Sequence, residues 1–164
     1  MTQRRYFVDM DGVIAVFNFN ATHEDLLKEG YFAERPSHKS IIEAVKKLAR
    51  TADVYILSAV LMDSEYALFE KHDWLDRELN IPCKYRIFTI CGEDKIASVP
   101  AFDPETDILI DDYGPNCKVW EENGGSYIKV SVDAEDAEYE QKKHAHVIHP
   151  EMTADEILKS IKEV

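Results

Sequence analysis

The sequence predicts an α/β fold in which helices cover a mainly parallel sheet of five strands. Short apolar runs alternate along the chain with segments whose apolar residues recur at helical spacing, the pattern of repeated strand-helix-strand units. The 164 residues match the length of one domain, so we predict a single domain over residues 1–164. Apolar residues make up 45% of the chain, a usual share for a globular protein.

Each predicted strand is a short apolar run, as expected for strands that are buried on both faces of a parallel sheet. Three of the runs end directly at polar residues, which are Asp9, Ser58 and Asp111. The five runs cover residues 6–8, 54–57, 86–90, 108–110 and 127–130.

Four other segments have apolar residues at helical spacing and are predicted as helices. They cover residues 37–50, 63–79, 115–122 and 153–162. Ser37 or Ser40 is the expected N-cap of the first helix, and Asp63 is the expected N-cap of the second. The apolar face of the second helix is expected to carry Tyr66, Leu68, Phe69, Trp74, Leu75 and Leu79. The first two helices would connect parallel strands, and the last would dock on the domain.

The charge balance excludes several classes of partner. Lys and Arg number 19 against 32 Asp and Glu, which gives a net charge of −13. Nucleic-acid backbones and anionic membrane surfaces repel a chain this acidic, so we expect neither a nucleic-acid polymer nor a membrane as partner. No apolar stretch reaches the roughly 18 residues that a membrane span needs.

The cysteines and the N-terminal residues indicate a reduced compartment. Cys83, Cys91 and Cys117 are odd in number and lack C-x-x-C spacing, so we expect neither a disulfide framework nor a zinc site. Residues 1–5 run directly into a strand pattern, so we expect no signal peptide. A cytoplasmic location follows as the expectation.

Acidic residues follow two of the predicted strands. Asp9 and Asp11 follow the first strand, and Asp111 and Asp112 follow the fourth. The carboxyl ends of parallel strands meet at one edge of a sheet, where ligands bind, and Gly12 permits a turn that brings Asp9 and Asp11 together. Clustered carboxylates require a cation or a shared proton, and hard oxygen ligands favour Mg²⁺. We therefore expect a magnesium site, the alternative being a loop of solvated acids.

Two further polar residues suit a phosphoryl group. Ser58 offers a hydroxyl after the second strand, and Lys95 offers a compact positive charge in the loop after the third. Taken singly, a helix cap or turn hydroxyl is the favoured interpretation of Ser58, and an ordinary surface lysine that of Lys95. Together they predict a phosphate-binding pair at the acidic edge of the sheet.

These residues carry a resemblance to a known superfamily. The motifs, in chain order, are Asp9-Met10-Asp11-Gly12-Val13, Leu57-Ser58-Ala59, Lys95 and Leu109-Ile110-Asp111-Asp112. They resemble those of the haloacid dehalogenase-like phosphohydrolase superfamily. Residues 9–15 with Phe17, and residues 110–113 with Asn116, Trp120 and Gly124-Gly125, also resemble the 5'(3')-deoxyribonucleotidase family. The resemblance implies a Rossmann-like three-layer sandwich with a small cap inserted after the first strand.

The resemblance also implies roles for the site residues. Asp9 would be the nucleophile that forms an aspartyl-phosphate, and Asp11 would be the general acid and base. Mg²⁺ would be held by Asp9, the main-chain carbonyl of Asp11 and Asp111, with Asp112 in support. Ser58 and Lys95 would bind the transferring phosphoryl group.

The substrate implied by the resemblance is a small phosphate ester, most simply a nucleoside monophosphate. Phe17 matches a position that contacts the base in that family, the alternative being plain core packing. Only about residues 18–36 are free to form a cap, so we expect an open mouth, which a homo-oligomer would cover. A phosphatase for a sugar phosphate, another small metabolite or a phosphorylated macromolecule, and a non-catalytic phosphate-binding protein, are the alternatives.

Three histidines near the C-terminus form an H-x-H-x-x-H pattern at His144, His146 and His149. Imidazoles suit zinc, copper or nickel, but no cysteine or acidic motif accompanies them. Val147 and Ile148 lie between them, so a short edge strand or a connection is the favoured interpretation.

Overall fold

A computed structural model describes residues 3–164. Met1 and Thr2, part of the segment for which no signal peptide is expected, lie outside the described residues. The described chain forms one six-stranded sheet in the order β3-β2-β1-β4-β5-β6, and every neighbouring pair of strands is parallel. The strands are β1 (Arg5–Val8), β2 (Asp53–Val60), β3 (Arg86–Ile90), β4 (Asp107–Asp111), β5 (Ser126–Val130) and β6 (Val147–Ile148).

The predicted α/β fold with a mainly parallel sheet is confirmed, but the prediction of five strands is wrong. The sixth strand, β6, consists of Val147 and Ile148 and pairs with Lys129 and Val130 of β5. Two residues are too few to show a strand period in the sequence. The strand forms only through its pairing with β5 in the folded domain. The edge strand that was one of two interpretations of Val147 and Ile148 is therefore the one observed.

Helices connect the strands and cover both faces of the sheet. They are α1 (His23–Leu26), α2 (Lys39–Leu48), α3 (Ala67–Glu78), α4 (Gly114–Glu122), α5 (Ala134–Glu140) and α6 (Ala154–Lys162), and there are 3₁₀ helices at Cys83–Tyr85 and Lys95–Ser98. None of the helices within residues 3–164 is both long and apolar enough to cross a membrane.

Alternation along β1 divides the core into two layers. Tyr6 and Val8 contact one cluster of buried side chains, and Phe7 contacts the other. Successive residues of a strand point to opposite faces, so the two clusters lie on opposite sides of the sheet. The first cluster takes its helical residues from α2, α3 and α6, and the second includes Trp120 of α4. This arrangement is a Rossmann-like fold.

Two predicted helix starts are wrong by a few residues. The N-cap of α2 is His38 rather than Ser37 or Ser40, because the Ser40 hydroxyl donates to the Pro150 carbonyl oxygen at 2.6 Å instead of capping the helix. Helix α3 begins at Ala67, whose amide donates to the Ser64 hydroxyl at 3.0 Å.

The residue predicted to cap α3 makes a different contact. A carboxylate oxygen of Asp63 lies 2.7 Å from Nε2 of His23, in the segment between β1 and α2. Trp74, Leu75 and Leu79 of the expected apolar face are buried, but Leu68 and Phe69 are exposed, so the prediction is wrong for these two residues. The buried face of α3 also carries Glu70 and Lys71. Because both side chains are charged, their burial was hard to recognise from the sequence.

Candidate active site

The order of the strands brings two acidic segments together. Strands β1 and β4 are neighbours, and Val8 is in register with Ile110. The Asp9 amide donates to the Ile110 carbonyl oxygen at 2.9 Å, so β1 and β4 reach the same edge of the sheet. Asp9 follows β1, and Asp112 follows β4, which ends at Asp111.

A tight turn directs Asp9 and Asp11 into the same cavity. The Met10 carbonyl oxygen accepts hydrogen bonds from the amides of Ile14 and Ala15 at 3.0 and 2.8 Å. Gly12 has a φ of 81°, which favours glycine. A Cβ atom at Gly12 would overlap the Asp112 carboxylate, so glycine also provides the space for that side chain.

Three carboxylates form a cluster at the end of the sheet. Asp9, Asp111 and Asp112 each offer one oxygen atom, and these three atoms all lie within 4.8 Å of one another. Asp9 and Asp111 are buried, and Asp112 is half-buried. Oxygen donors at this spacing are suited to a hard divalent cation such as Mg²⁺.

Lys95 inserts a positive charge between two of these carboxylates. Its Nζ atom lies 2.9 Å from Oδ1 of Asp9 and 2.6 Å from Oδ2 of Asp111, and the residue is only 5% exposed. Burial alone would lower the pKa of Lys95, but Coulombic attraction to Asp9 and Asp111 outweighs burial and raises it. Lys95 is therefore a fixed cation of the site.

Asp111 and Asp112 differ in their hydrogen bonding. Oδ2 of Asp111 accepts from Lys95 and from Asn116 at 3.1 Å, and Oδ1 accepts from the Tyr113 amide at 2.8 Å. Within residues 3–164, the Asp112 carboxylate accepts no such hydrogen bond. Burial raises the pKa of Asp111 despite the opposing effect of Lys95. Burial, with repulsion from Asp9 and Asp111, raises the pKa of Asp112 to about 8.

A second buried lysine, not identified in the sequence, holds Asp11. Nζ of Lys71 donates to Oδ2 of Asp11 at 2.5 Å, to the Ser58 hydroxyl at 3.1 Å and to the Ala59 carbonyl oxygen at 2.5 Å. The other carboxylate oxygen of Asp11, Oδ1, is buried and has no hydrogen-bond partner in the described structure. The one signal in the sequence is spacing, since Lys71 lies four positions from both Ala67 and Leu75 on one helix face, but that spacing does not show that a lysine is buried.

Ser58 lies inside a strand rather than after one. Strand β2 continues to Val60 because Ser58 and Ala59 stay in register with Phe88 and Thr89 of β3. The pairing of β2 with β1 ends earlier, at Ile56, so Ser58 is beyond the end of β1. Its side chain is fully buried and makes contact with Lys71.

A cavity of about 360 Å³ opens beside the cluster. The charged residues on its wall are Asp9, Asp11, Lys71, Lys95 and Asp112, whereas Ser58 and Asp111 do not line it. Much of the remaining wall is apolar or aromatic, and consists of Phe17, Phe19, Leu26, Phe32, Ala59, Val60, Leu61 and Tyr113. Phe17 therefore lines the cavity, and its ring lies edge-on to Phe19 with a centroid distance of 5.3 Å.

The C-terminal histidines lie elsewhere in the fold. His144 contacts the Tyr127 hydroxyl through Nδ1 at 2.8 Å and Glu140 through Nε2 at 3.0 Å. Among the described residues, the carboxylates of Asp9, Asp111 and Asp112 are the group spaced to hold a metal ion, and these histidines are not part of it.

No protein-family model matches the chain, and no curated protein matches it in sequence. Several solved structures share its fold. A D,D-heptose 1,7-bisphosphate phosphatase from Burkholderia thailandensis is 12% identical, with a TM-score of 0.61 over 99% of this chain and 100% of that one. The corresponding enzyme from B. bronchiseptica, complexed with magnesium and phosphate, is 10% identical, with a TM-score of 0.62 over 98% of each chain.

A third similar structure is a HAD-family enzyme from Bacteroides thetaiotaomicron. It is 14% identical, with a TM-score of 0.56 over 85% of this chain and 98% of that one. At these identities the similarity establishes a shared fold.

Proposed function

We propose that the chain is a Mg²⁺-dependent phosphomonoesterase of the haloacid dehalogenase-like superfamily. The observation that carries this proposal is the placement of Asp9 and Asp11 on one turn, facing a cavity, beside the Lys95 ammonium and the two acids after β4. Nucleophile, proton donor, fixed cation and metal ligands are the groups that phosphoryl transfer through a carboxylate requires. The fold shared with HAD-family phosphatases agrees with this function.

The donor set fits a magnesium ion. Asp9, Asp111 and Asp112 supply carboxylate oxygens within 4.8 Å of one another, and the main-chain carbonyl of Asp11 is proposed as a further ligand. Among the described residues, Asp9 and Asp111 already have hydrogen-bond or ion-pair partners and the Asp112 carboxylate accepts no hydrogen bond, so we assign Asp112 more than a supporting role. When bound, Mg²⁺ would offset the repulsion between these acids and an incoming phosphate dianion. A structure of similar fold, from B. bronchiseptica, contains magnesium and phosphate.

The hydrogen bonds of Asp9 distinguish its two carboxylate oxygens. Oδ1 accepts from the Met10 amide at 2.7 Å and contacts Lys95, whereas Oδ2 is free to attack. Attack by Oδ2 on phosphorus would form the aspartyl-phosphate and break the ester bond, while Asp11 gives a proton to the departing oxygen. Asp11 would then accept a proton from the water that releases phosphate.

Two residues are proposed to bind the phosphoryl group. Lys95 already lies beside the nucleophile and lines the cavity, so its ammonium is placed to contact a phosphoryl oxygen. Ser58 is buried just behind the cavity wall, beside Lys71, from which it accepts a hydrogen bond, and this leaves its hydroxyl proton free to donate.

The apolar wall of the cavity supports a ring-bearing leaving group. Phe17, Phe19 and Phe32 face the same space as the catalytic carboxylates, and a nucleobase has a flat surface that stacks on such rings. We therefore propose a nucleoside monophosphate as the substrate, and residues 18–36 as a minimal cap of a single domain. A sugar phosphate is the second candidate, since proteins of the same fold are heptose bisphosphate phosphatases.

A phosphate-release panel tests this function. Wild-type protein is incubated with deoxynucleotides, ribonucleotides, sugar phosphates and a phosphopeptide, with Mg²⁺ or with EDTA. We expect Mg²⁺-dependent release that is fastest with nucleotides. Faster release from sugar phosphates would favour the second candidate. Binding of phosphate esters without any release would instead indicate a non-catalytic binding protein.

Replacing Asp112 by asparagine is expected to weaken Mg²⁺ binding by at least about tenfold, because it removes a ligand charge from an oxygen that has no other partner. The measurement is the Mg²⁺ concentration that gives half-maximal phosphate release. Asp155→Asn, at a position 84% exposed on α6, is the matched control. An unchanged Mg²⁺ requirement in Asp112→Asn would return Asp112 to a supporting role.

A further inference from the structure

Lys71 is buried at the centre of three hydrogen bonds that use all of its donors. The side chain is only 2% exposed, and its Nζ atom contacts Asp11, Ser58 and the Ala59 carbonyl oxygen. An ammonium group has three N–H bonds, so this geometry leaves no donor for another partner. A side chain held in this way has one orientation.

The contact with Lys71 makes the two oxygens of Asp11 unequal. Oδ2 accepts from the ammonium at 2.5 Å, whereas Oδ1 is buried and has no hydrogen-bond partner among residues 3–164. A buried polar atom without a partner is costly, and in a native structure such an atom calls for an explanation. Asp11 lines the cavity beside Asp9, so a group bound there would be the natural partner of Oδ1.

We propose that Lys71 is a positioning residue that fixes Asp11 so that Oδ1 carries the proton exchanged with the leaving oxygen. This inference rests on the proposed function. In the transfer step the O–H bond at Oδ1 breaks and the proton passes to the departing ester oxygen, while Lys71 keeps its own three protons. Lys71 also lines the cavity, but its three donors are already used, so its proposed action is on Asp11 rather than on the substrate.

Glu70, the residue before Lys71, connects helix α3 to residues 30–33. The Glu70 carboxylate accepts hydrogen bonds from the amides of Gly30 and Phe32, at 2.5 and 2.9 Å. The centroid of the Phe32 ring lies 4.8 Å from Nζ of Lys71, and Phe32 lines the cavity. Helix α3 therefore holds the Asp11 carboxylate through Lys71 and the backbone of Phe32 through Glu70. This packing keeps water away from the Lys71 contacts.

A positioning role and a merely structural role predict different dependences on the leaving group. p-Nitrophenolate is a stable anion that departs without a proton, whereas an alkoxide needs one from the general acid. Loss of positioning should therefore slow formation of the aspartyl-phosphate from an alkyl phosphate far more than from p-nitrophenyl phosphate. Loss of structure should slow both equally.

The test compares Lys71→Met with wild type and with Lys159→Met, a control at a position 79% exposed on α6. The quantity compared is kcat/KM, which reports formation of the aspartyl-phosphate and excludes the later hydrolysis step that both esters share. We expect kcat/KM for the alkyl phosphate to fall by about 10²-fold in Lys71→Met, since misplacing a catalytic group typically costs that much. We expect kcat/KM for p-nitrophenyl phosphate to fall by less than about tenfold, because its leaving group needs no proton.

Two further arms complete the experiment. In an Asp11→Asn background, Lys71→Met should cause no additional loss with the alkyl ester, because the two residues act as one unit. If Lys71→Met does not fold, Lys71→Gln, which retains amide donors, is compared in the same way.

Equal losses for both esters, or additive losses in the double variant, would overturn the positioning role while the proposed function stands. A wild-type chain that hydrolyses neither ester would overturn both.

Discussion

Replacing Asp9 by asparagine is expected to lower Mg²⁺-dependent phosphate release by at least about 10³-fold, because an amide cannot form the aspartyl-phosphate. The Lys95 ammonium would also lose one of its two carboxylate partners. Stability should change far less than activity, since asparagine has nearly the same shape and Asp111 still balances Lys95. The measurement is phosphate release under saturating ester, together with thermal unfolding of the same preparation.

The control for this variant is Asp155→Asn, an equivalent change at an exposed position on α6. Its activity should equal that of wild type. Activity of Asp9→Asn close to the wild-type level, in a folded protein, would remove Asp9 from the role of nucleophile.

Replacing Lys95 by methionine is expected to have two effects of different origin. Asp9 and Asp111 would be left in a buried site without their cation, and breaking such a pair typically costs about 3–5 kcal/mol of unfolding free energy. Phosphate release should also fall, because the phosphoryl group loses its proposed cationic contact. Urea denaturation in EDTA measures the first effect, and phosphate release measures the second.

Added Mg²⁺ should restore part of the stability of Lys95→Met, since a divalent cation bound between the same carboxylates replaces the missing charge. It should not restore activity to the wild-type level. Lys118→Met, at a position 74% exposed on α4, is the control and should be close to wild type in both measurements. A stability loss in Lys95→Met no larger than that of the control would contradict the role of Lys95 as the fixed cation.

The positions of Asp9 and Asp111 were predictable from the apolar runs that precede them and from the geometry of a parallel sheet. Asp9 and Asp111 each come at the end of a buried apolar run, and parallel strands place such ends at the same edge. The resemblance to a superfamily added expected roles. Lys95 was identified in the same way, although its burial between two carboxylates depends on the tertiary structure.

Other features could not be predicted because tertiary contacts decide them. Apolar residues at 68 and 69 suggested the buried side of α3, yet Glu70 and Lys71 are the residues turned inward. Both are stabilised there by partners distant in sequence, the backbone of residues 30–33 and the Asp11 carboxylate. Pairing with β3 likewise extends β2 past Ser58.

The unequal roles of Asp111 and Asp112 also depend on packing. In the sequence they are adjacent acids after one strand, and nothing local separates them. In the fold, Asp111 is buried beneath Lys95 and Asn116, whereas Asp112 faces the cavity above Gly12. The difference arises from strand alternation, which sends successive side chains to opposite sides.

Detection of the phosphorylated enzyme tests the central claim most directly. Wild-type protein is mixed with Mg²⁺ and p-nitrophenyl phosphate, quenched in acid within a single turnover and digested with pepsin while still acidic, because an acyl phosphate hydrolyses at higher pH. We predict that the peptide containing Asp9 and Asp11 gains the mass of one phosphoryl group, that fragmentation places the group on Asp9, and that Asp9→Asn shows no such peptide. Phosphate release by the wild type without this adduct, or an adduct on Asp11 instead, would contradict the assignment of Asp9 as the nucleophile.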